Sequence, residues 1–202
     1  MPQNGNGEIG KDDIIIMKMI KDKQILVAAD KAGFPLKEAV VKHLRQKGWT
    51  VTDIGVQSAD EEHPEMFHRI GIAAGTLLAE KEFERALLFC GTGMGIHIAA
   101  SKCPGVMSGV VENLPSAMRA ITGNNVNALA IGAYYVAPSL AIDMVDAYLS
   151  LNLGDTFEWR EKFYEYHKLA YDELMAFDYD EYKKNGFKMK HLGECVLPPL
   201  NE

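Results

Sequence analysis

The stretch ALLFCGTGMGIHIAA, residues 86–100, runs apolar residues up to a cysteine and then sets three glycines on alternate positions, Gly91, Gly93 and Gly95. A cysteine kept for packing sits well inside a strand. Cys90 instead stands where strand gives way to loop, which is where parallel-sheet proteins place chemistry. Alternating glycines let successive backbone N–H groups turn toward one point, and a helix starting there adds its positive end, so the loop suits negative charge. Spacing removes the familiar rivals. A dinucleotide fingerprint needs G-x-G-x-x-G after the first strand, and a phosphate-cradling Walker loop needs Gly-Lys-Ser/Thr, whereas Ile96 and His97 follow Gly95. A cysteine phosphatase needs an arginine six positions after its thiolate, and that position is Ile96. What remains is a thiol facing amide donors. Thiols at helix starts ionise more readily and serve as bases as well as nucleophiles. Removing a proton beside a carbonyl needs that pair, a base at carbon and donors for the enediolate oxygen, each donor being worth about 3 kcal/mol in the transition state. The bland alternative is a buried cysteine at a tight strand-to-helix turn, and the glycines and Thr92 weigh against it.

The elements that must hold this loop are legible around it. Residues 24–29, 50–55, 86–90, 106–111 and 128–132 read as strands, several of them apolar throughout, as suits strands covered on both faces. PLKEAVVKHLRQKG is the clearest helix, with Pro35 early, Leu36, Val40, Val41 and Leu44 on one face and Gly48 as its stop. Residues 65–80, 95–102, 115–122 and 138–150 read as further helices, Pro115 and Pro138 falling in first turns. Strand and helix alternating five times means an α/β fold: a five-stranded parallel sheet with helices on both faces. The expected organisation is a polar leader over 1–22, an α/β domain over 23–155 and a C-terminal extension over 156–202. That extension, FEWREKFYEYHKLAYDELMAFDYDEYKK and onward, reads as one long helix and an irregular tail, with Phe163, Tyr166, Leu169 and Ala170 packing on the body or on a second subunit.

Bulk composition narrows the partners. The 202 residues suffice for one buried core. A formal charge of −7 without a lysine or arginine cluster argues against nucleic acid and anionic membrane. Three cysteines, Cys90, Cys103 and Cys195, are a sparse, odd set that fits reduced thiols in a cytoplasm. DDIIIMKMI is too short to span a bilayer. His63 and His68 lack metal-site spacing, and His68 and His97 read as structural.

VAADKAGFPLKEAVVKHLRQKGWTVTDIG, CGTGMGIHIAASKCPGV and NNVNALAIGA, in that order and spacing, resemble the ribose-5-phosphate isomerase B and galactose-6-phosphate isomerase family over residues 24 to about 150. The resemblance implies a Rossmann-like sheet, a small sugar phosphate as partner, no metal or other cofactor, and a homodimer or homotetramer. It implies that Cys90 moves the proton between C1 and C2, that Thr92 and the backbone of Gly91, Gly93, Met94 and Gly95 hold the enediol oxygens, and that Asp30 binds sugar hydroxyls or assists ring opening. Read alone, Asp30 is equally a loop acid or helix cap. Asn124 matches an asparagine that polarises the substrate, against a loop amide bonding its own backbone.

The departures lie around the same site. Gly123 stands where the family carries its ring-opening histidine, Lys31 where many relatives have histidine, and Tyr134 where an arginine grips phosphate. The arginine–histidine group after the last core helix has no clean counterpart in LGDTFEWREKF. Lys31, His63 and Arg160 are the candidate phosphate donors in their stead, each readable as a solvated surface residue. The expected activity is aldose–ketose isomerisation of a pentose 5-phosphate-like substrate, with a tetrose or hexose phosphate as the alternative sugar. A sugar-phosphate-binding subunit with weak or lost turnover is the alternative function.

Overall fold

A computed structural model describes residues 20–194. The greater part of the polar leader, Cys195 and the proline-containing tail lie outside them. A single 3-10 turn, Lys21–Lys23, precedes β1 (Gln24–Ala29). There follow α1 (Phe34–Gln46), β2 (Thr50–Asp53), α2 (Phe67–Ala79), β3 (Ala86–Cys90), α3 (Met94–Ala100), β4 (Ser108–Val111), α4 (Leu114–Thr122), β5 (Ala128–Gly132) and α5 (Pro138–Ser150). All five strands pair in parallel, in the order β2-β1-β3-β5-β4.

Side-chain alternation along the strands divides the core in two. Ile25, Val27, Leu87, Phe89, Leu129 and Ile131 face α1, α4 and α5, whose Leu36, Val40, Ala117, Ile121, Met144 and Tyr148 close that layer. Leu26, Ala28, Leu88, Cys90, Ala128 and Ala130 face α2 and α3 through Ile70, Ala74, Ile96 and Ala100. The expected three-layer fold is therefore present, and its handedness follows from the order of the strands. The crossovers β1-α1-β2 and β4-α4-β5 step one way along the sheet and use one face, while β2-α2-β3 and β3-α3-β4 step the other way and use the opposite face. That is the pattern a uniformly right-handed connection demands.

Two cations are buried to hold these layers. The Lys37 Nζ, at zero exposure, lies 2.6 Å from Asp53 Oδ2 and donates to the Val56 carbonyl at 2.6 Å, tying α1 to the end of β2. Arg85, at the start of β3, donates to the carbonyls of Tyr148 at 2.6 Å and Leu151 at 3.0 Å, satisfying the last turn of α5.

The C-terminal extension departs from the expected single helix. Residues 155–162 form turns, then α6 (Phe163–Met175) and α7 (Tyr179–Lys184) follow as separate helices. Asp178 is extended and its side chain accepts the Glu181 N–H at 2.8 Å, so it starts a new helix where a continuous one was read. Phe163 is buried and Tyr166 and Leu169 are half-buried, while Ala170 is exposed.

Removing one member of a buried ion pair strands the other charge. Asp53→Ala should therefore lower unfolding free energy by about 3 kcal/mol in urea titrations. Lys47→Ala, which breaks the exposed pair with Asp146, should cost less than about 1 kcal/mol.

Candidate active site

Strand register builds the site. Ala29 pairs with Phe89 and Cys90 with Gly132, and the Asp30 N–H donates to the Phe89 carbonyl at 3.3 Å. Asp30, Cys90 and Gly132 therefore stand side by side on the carboxyl ends of β1, β3 and β5. Connections leave β1 and β3 in opposite directions, and this is the switch point where open α/β sheets bind ligands.

The loop beyond Cys90 is held by the turn after β5. Ala133 N–H donates to the Cys90 carbonyl and Tyr134 N–H to the Gly91 carbonyl, both at 2.9 Å. Gly132 permits this approach, since a Cβ there would lie 2.7 Å from the carbonyl carbon and oxygen of Thr92. Gly93 has φ +76°, a conformation that a side chain disfavours, and its N–H points at Cys90 Sγ from 3.1 Å. The sulfur belongs to a residue only 4% exposed, so a backbone dipole meets it in a place with little competing water. The neighbouring Met94 N–H donates to Thr92 Oγ1 at 3.3 Å. The Tyr134 ring lies over Gly91 and the Phe67 ring over Gly95, within 2.6 Å of where a Cβ would stand at each glycine.

Asp30 is half-buried and accepts the Gly33 N–H at 2.9 Å. It therefore caps the turn into α1, as its bland reading had it, while also standing beside Cys90. Burial raises its pKa above the ordinary aspartate value, against the opposing pull of the Gly33 and Ala32 N–H groups. His97 has a buried Nδ1 without a partner, and burial lowers its pKa by disfavouring the charged ring.

The structure thus gathers Cys90, Thr92, the glycine loop, Met94, Asp30 and Tyr134. Lys31 follows Asp30 at the same end and is exposed, and His63 is exposed in the connection from β2 to α2. Asn124 and Arg160 are elsewhere. Helices in this fold run back against the strands, so Asn124, just past α4, is at the amino end of the sheet. Arg160 lines a cleft there with Arg85 and Asn125. Neither reaches Cys90 of its own chain. Two clefts of about 540 Å³ among the described residues lie along the extension and include no residue of the Cys90 loop. Gly132 and Phe67 are contributors that spacing alone did not mark; a glycine closing an apolar strand was the available signal for the first.

The ribose/galactose isomerase family model matches residues 25–166. The chain belongs to this family. A 4-deoxy-4-sulfo-D-erythrose isomerase from Clostridium sp. (strain MSTE9) is 36% identical over 141 residues, 69% of this chain and 87% of the relative. Ribose-5-phosphate isomerase B of Escherichia coli (strain K12) is 36% identical over 128 residues, 63% of this chain and 83% of the relative. The Clostridium thermocellum ribose-5-phosphate isomerase B structure superposes with TM-score 0.66 at 26% identity, over 80% of this chain and 99% of that one. The chain is accordingly an enzyme of the isomerase class, and its sheet is the fold of ribose-5-phosphate isomerase B. The family match ends at Tyr166, inside α6. No helix among the described residues is long and apolar enough to cross a membrane.

Because the folded chain holds the Asp30 proton more tightly than the unfolded chain, stability falls as pH climbs from 3.8 through the raised value. Asp30→Asn keeps an acceptor for Gly33 and removes the charge. The variant should melt higher than the parent at pH 7, and the difference should vanish at pH 3; an equal or lower melting point at pH 7 would contradict the burial argument.

Proposed function

We propose that this isomerase interconverts an aldose and a ketose of four carbons that carry a terminal oxyanion, with Cys90 as the base. The observation that carries the reading is the Cys90 sulfur, under the Gly93 N–H and beside Asp30 at the strand switch point. The thiolate takes the hydrogen from the carbon next to the carbonyl, and the C–H electrons form the C1–C2 double bond of a cis-enediolate as the carbonyl oxygen gains charge. A proton passes between the two oxygens, and sulfur returns its hydrogen to the other carbon, so atoms and electrons balance without an external oxidant. The Thr92 hydroxyl and the amides of Gly91 and Gly95 are suited to the enediolate oxygens, while the Met94 amide holds the Thr92 oxygen and the Gly93 amide steadies the sulfur. Asp30, with its raised pKa, is suited to a sugar hydroxyl.

Four carbons are favoured over the pentose expected from the resemblance because Gly123 supplies no ring-opening group. A four-carbon sugar substituted at C4 has no free hydroxyl to close the usual ring, and one relative is named for a substrate of that kind. The exposed Phe67, Met94, Ile98, Tyr134 and Tyr135 lie on or beside the Cys90 loop. Such an apolar patch supports a homodimer or homotetramer covering this face.

In deuterated water, Cys90→Ala should slow exchange at C2 of a tetrose 4-phosphate by about 10²- to 10⁴-fold; unaltered exchange would remove the base. Turnover should be greater on tetrose 4-phosphate and 4-sulfo-tetrose than on ribose 5-phosphate. The reverse order would restore the pentose, and no turnover on any of the three would favour a binding subunit. Light scattering should give two or four chain masses, and a persistent single-chain mass would remove the assembly.

A further inference from the structure

Beyond Tyr166, where the family match ends, the chain builds a surface of its own. The end of α6, α7 and the residues up to Leu192 enclose a cleft of about 540 Å³. Its apolar lining is Ala176, Phe177, Tyr182, Met189 and Leu192. Phe177, Met189 and Leu192 are exposed, and Tyr182 is half-buried. The Tyr182 ring lies 5.5 Å from that of Phe177 and 5.7 Å from that of Phe187, so the three rings form a row. The walls are tied to one another: the Phe187 N–H donates to the Tyr182 carbonyl at 2.9 Å, and the Leu192 N–H to Glu173 Oε1 at 2.8 Å. Apolar surface held open in this way gains from any segment that covers it.

Two stretches of the chain outside the described residues are apolar enough to do so, IIIMKM at 14–19 and CVLPPL at 195–200. The points where they join the fold separate them. The leader joins at β1, and Lys23 just ahead of that strand donates to the Lys47 carbonyl ahead of β2. The extension lies toward the other edge of the sheet, since Met175, at the end of α6, is 3.4 Å from where a Cβ would stand at Gly105, ahead of β4. The C-terminal stretch begins on the spot. Gly193 packs on α6, where its Cβ would lie 3.2 Å from Leu169 Cδ1, and Cys195 follows three residues after Leu192 of the lining.

Composition favours the same segment. Adjacent prolines fix φ near −65° and push the preceding residue to extended backbone, which is the polyproline II form. With three residues per turn, Leu197 and Leu200 then share one edge. Segments of this kind dock in grooves lined by aromatic rings, because they lose little conformational freedom on binding. At about 3.1 Å per residue, residues 195–200 extend about 19 Å, whereas the six residues of α7 rise about 9 Å.

We propose that this groove holds residues 195–200 of its own chain, with Leu197 and Leu200 against the Phe177 and Tyr182 rings. The tail then closes the extension on itself. The docking does not rest on the isomerase reading, since no residue of the Cys90 loop lines the groove.

A photoreactive p-benzoylphenylalanine in place of Leu200, in the full-length protein, tests the contact. Illumination should give cross-links to residues 173–192 within a single-chain mass. No cross-link, or cross-links only at other positions, would overturn the proposal, and a two-chain mass would replace the chain's own tail by that of a second copy and overturn it equally. Phe177→Ser, at an exposed position, should remove the cross-link. Hydrogen exchange of the amides of 176–192 reads the same docking without a label and without altering the groove. Leu197→Asp combined with Leu200→Asp should speed that exchange about 10-fold, while Ile15→Asp combined with Ile16→Asp should leave it unchanged. Faster exchange in the leader variant alone would give the groove to the leader and overturn the proposal, as would exchange unchanged by the tail variant.

Discussion

The position of the Cys90 sulfur depends on how closely the turn after β5 approaches the loop after β3. Two backbone bonds, from Ala133 and Tyr134 to the carbonyls of Cys90 and Gly91, clamp the loop to its neighbour. The clamp closes only because Gly132 carries no Cβ to strike Thr92. With the carbonyls committed to β5, the loop turns the Gly93 amide inward onto sulfur. The contact is therefore a product of backbone packing between two strands, and the cysteine contributes only the atom that receives it.

Charge is distributed along the sheet with the same economy. An acidic chain handles an anion best with a few local donors placed where water is scarce. At the carboxyl ends these are backbone amides and a hydroxyl, beside an aspartate whose pKa burial raises. Guanidinium groups stacked on phenylalanines stand at the amino ends. The buried Lys37 and Arg85, by contrast, are fully engaged by Asp53, Val56, Tyr148 and Leu151, and serve the layers and not a ligand.

The segment that follows α5 covers one corner of the amino end of the sheet. Residues 155–175 bring Phe157, Arg160, Phe163 and His167 over the end of α4, next to Gly123. A histidine offered from α6 approaches that place from a different part of the chain. It is held there by ring stacking and a carbonyl bond rather than by its own backbone position.

Much of this was legible before any coordinate. Apolar strands such as ALLFC and ALAIG, and the strand–helix alternation, specify a parallel three-layer sheet because each pattern can bury its face in only one way. The glycine spacing after Cys90 marks the candidate site because alternate glycines have few other uses. What the chain order does not contain is strand order and the ends at which distant segments meet. Arg160 and Asn124 read as substrate-binding residues, and the return direction of α4 and α5 places them at the end of the sheet opposite Cys90 of the same chain. MAFDYDEY read as continuous helix because no glycine or proline interrupts it, and the break became visible only when the Asp178 side chain was seen capping Glu181. Local patterns record which face each segment must bury. Which side chains come to share a ring is decided by tertiary packing, since Arg119 and His167 are 48 residues apart in the chain and nothing in either neighbourhood refers to the other.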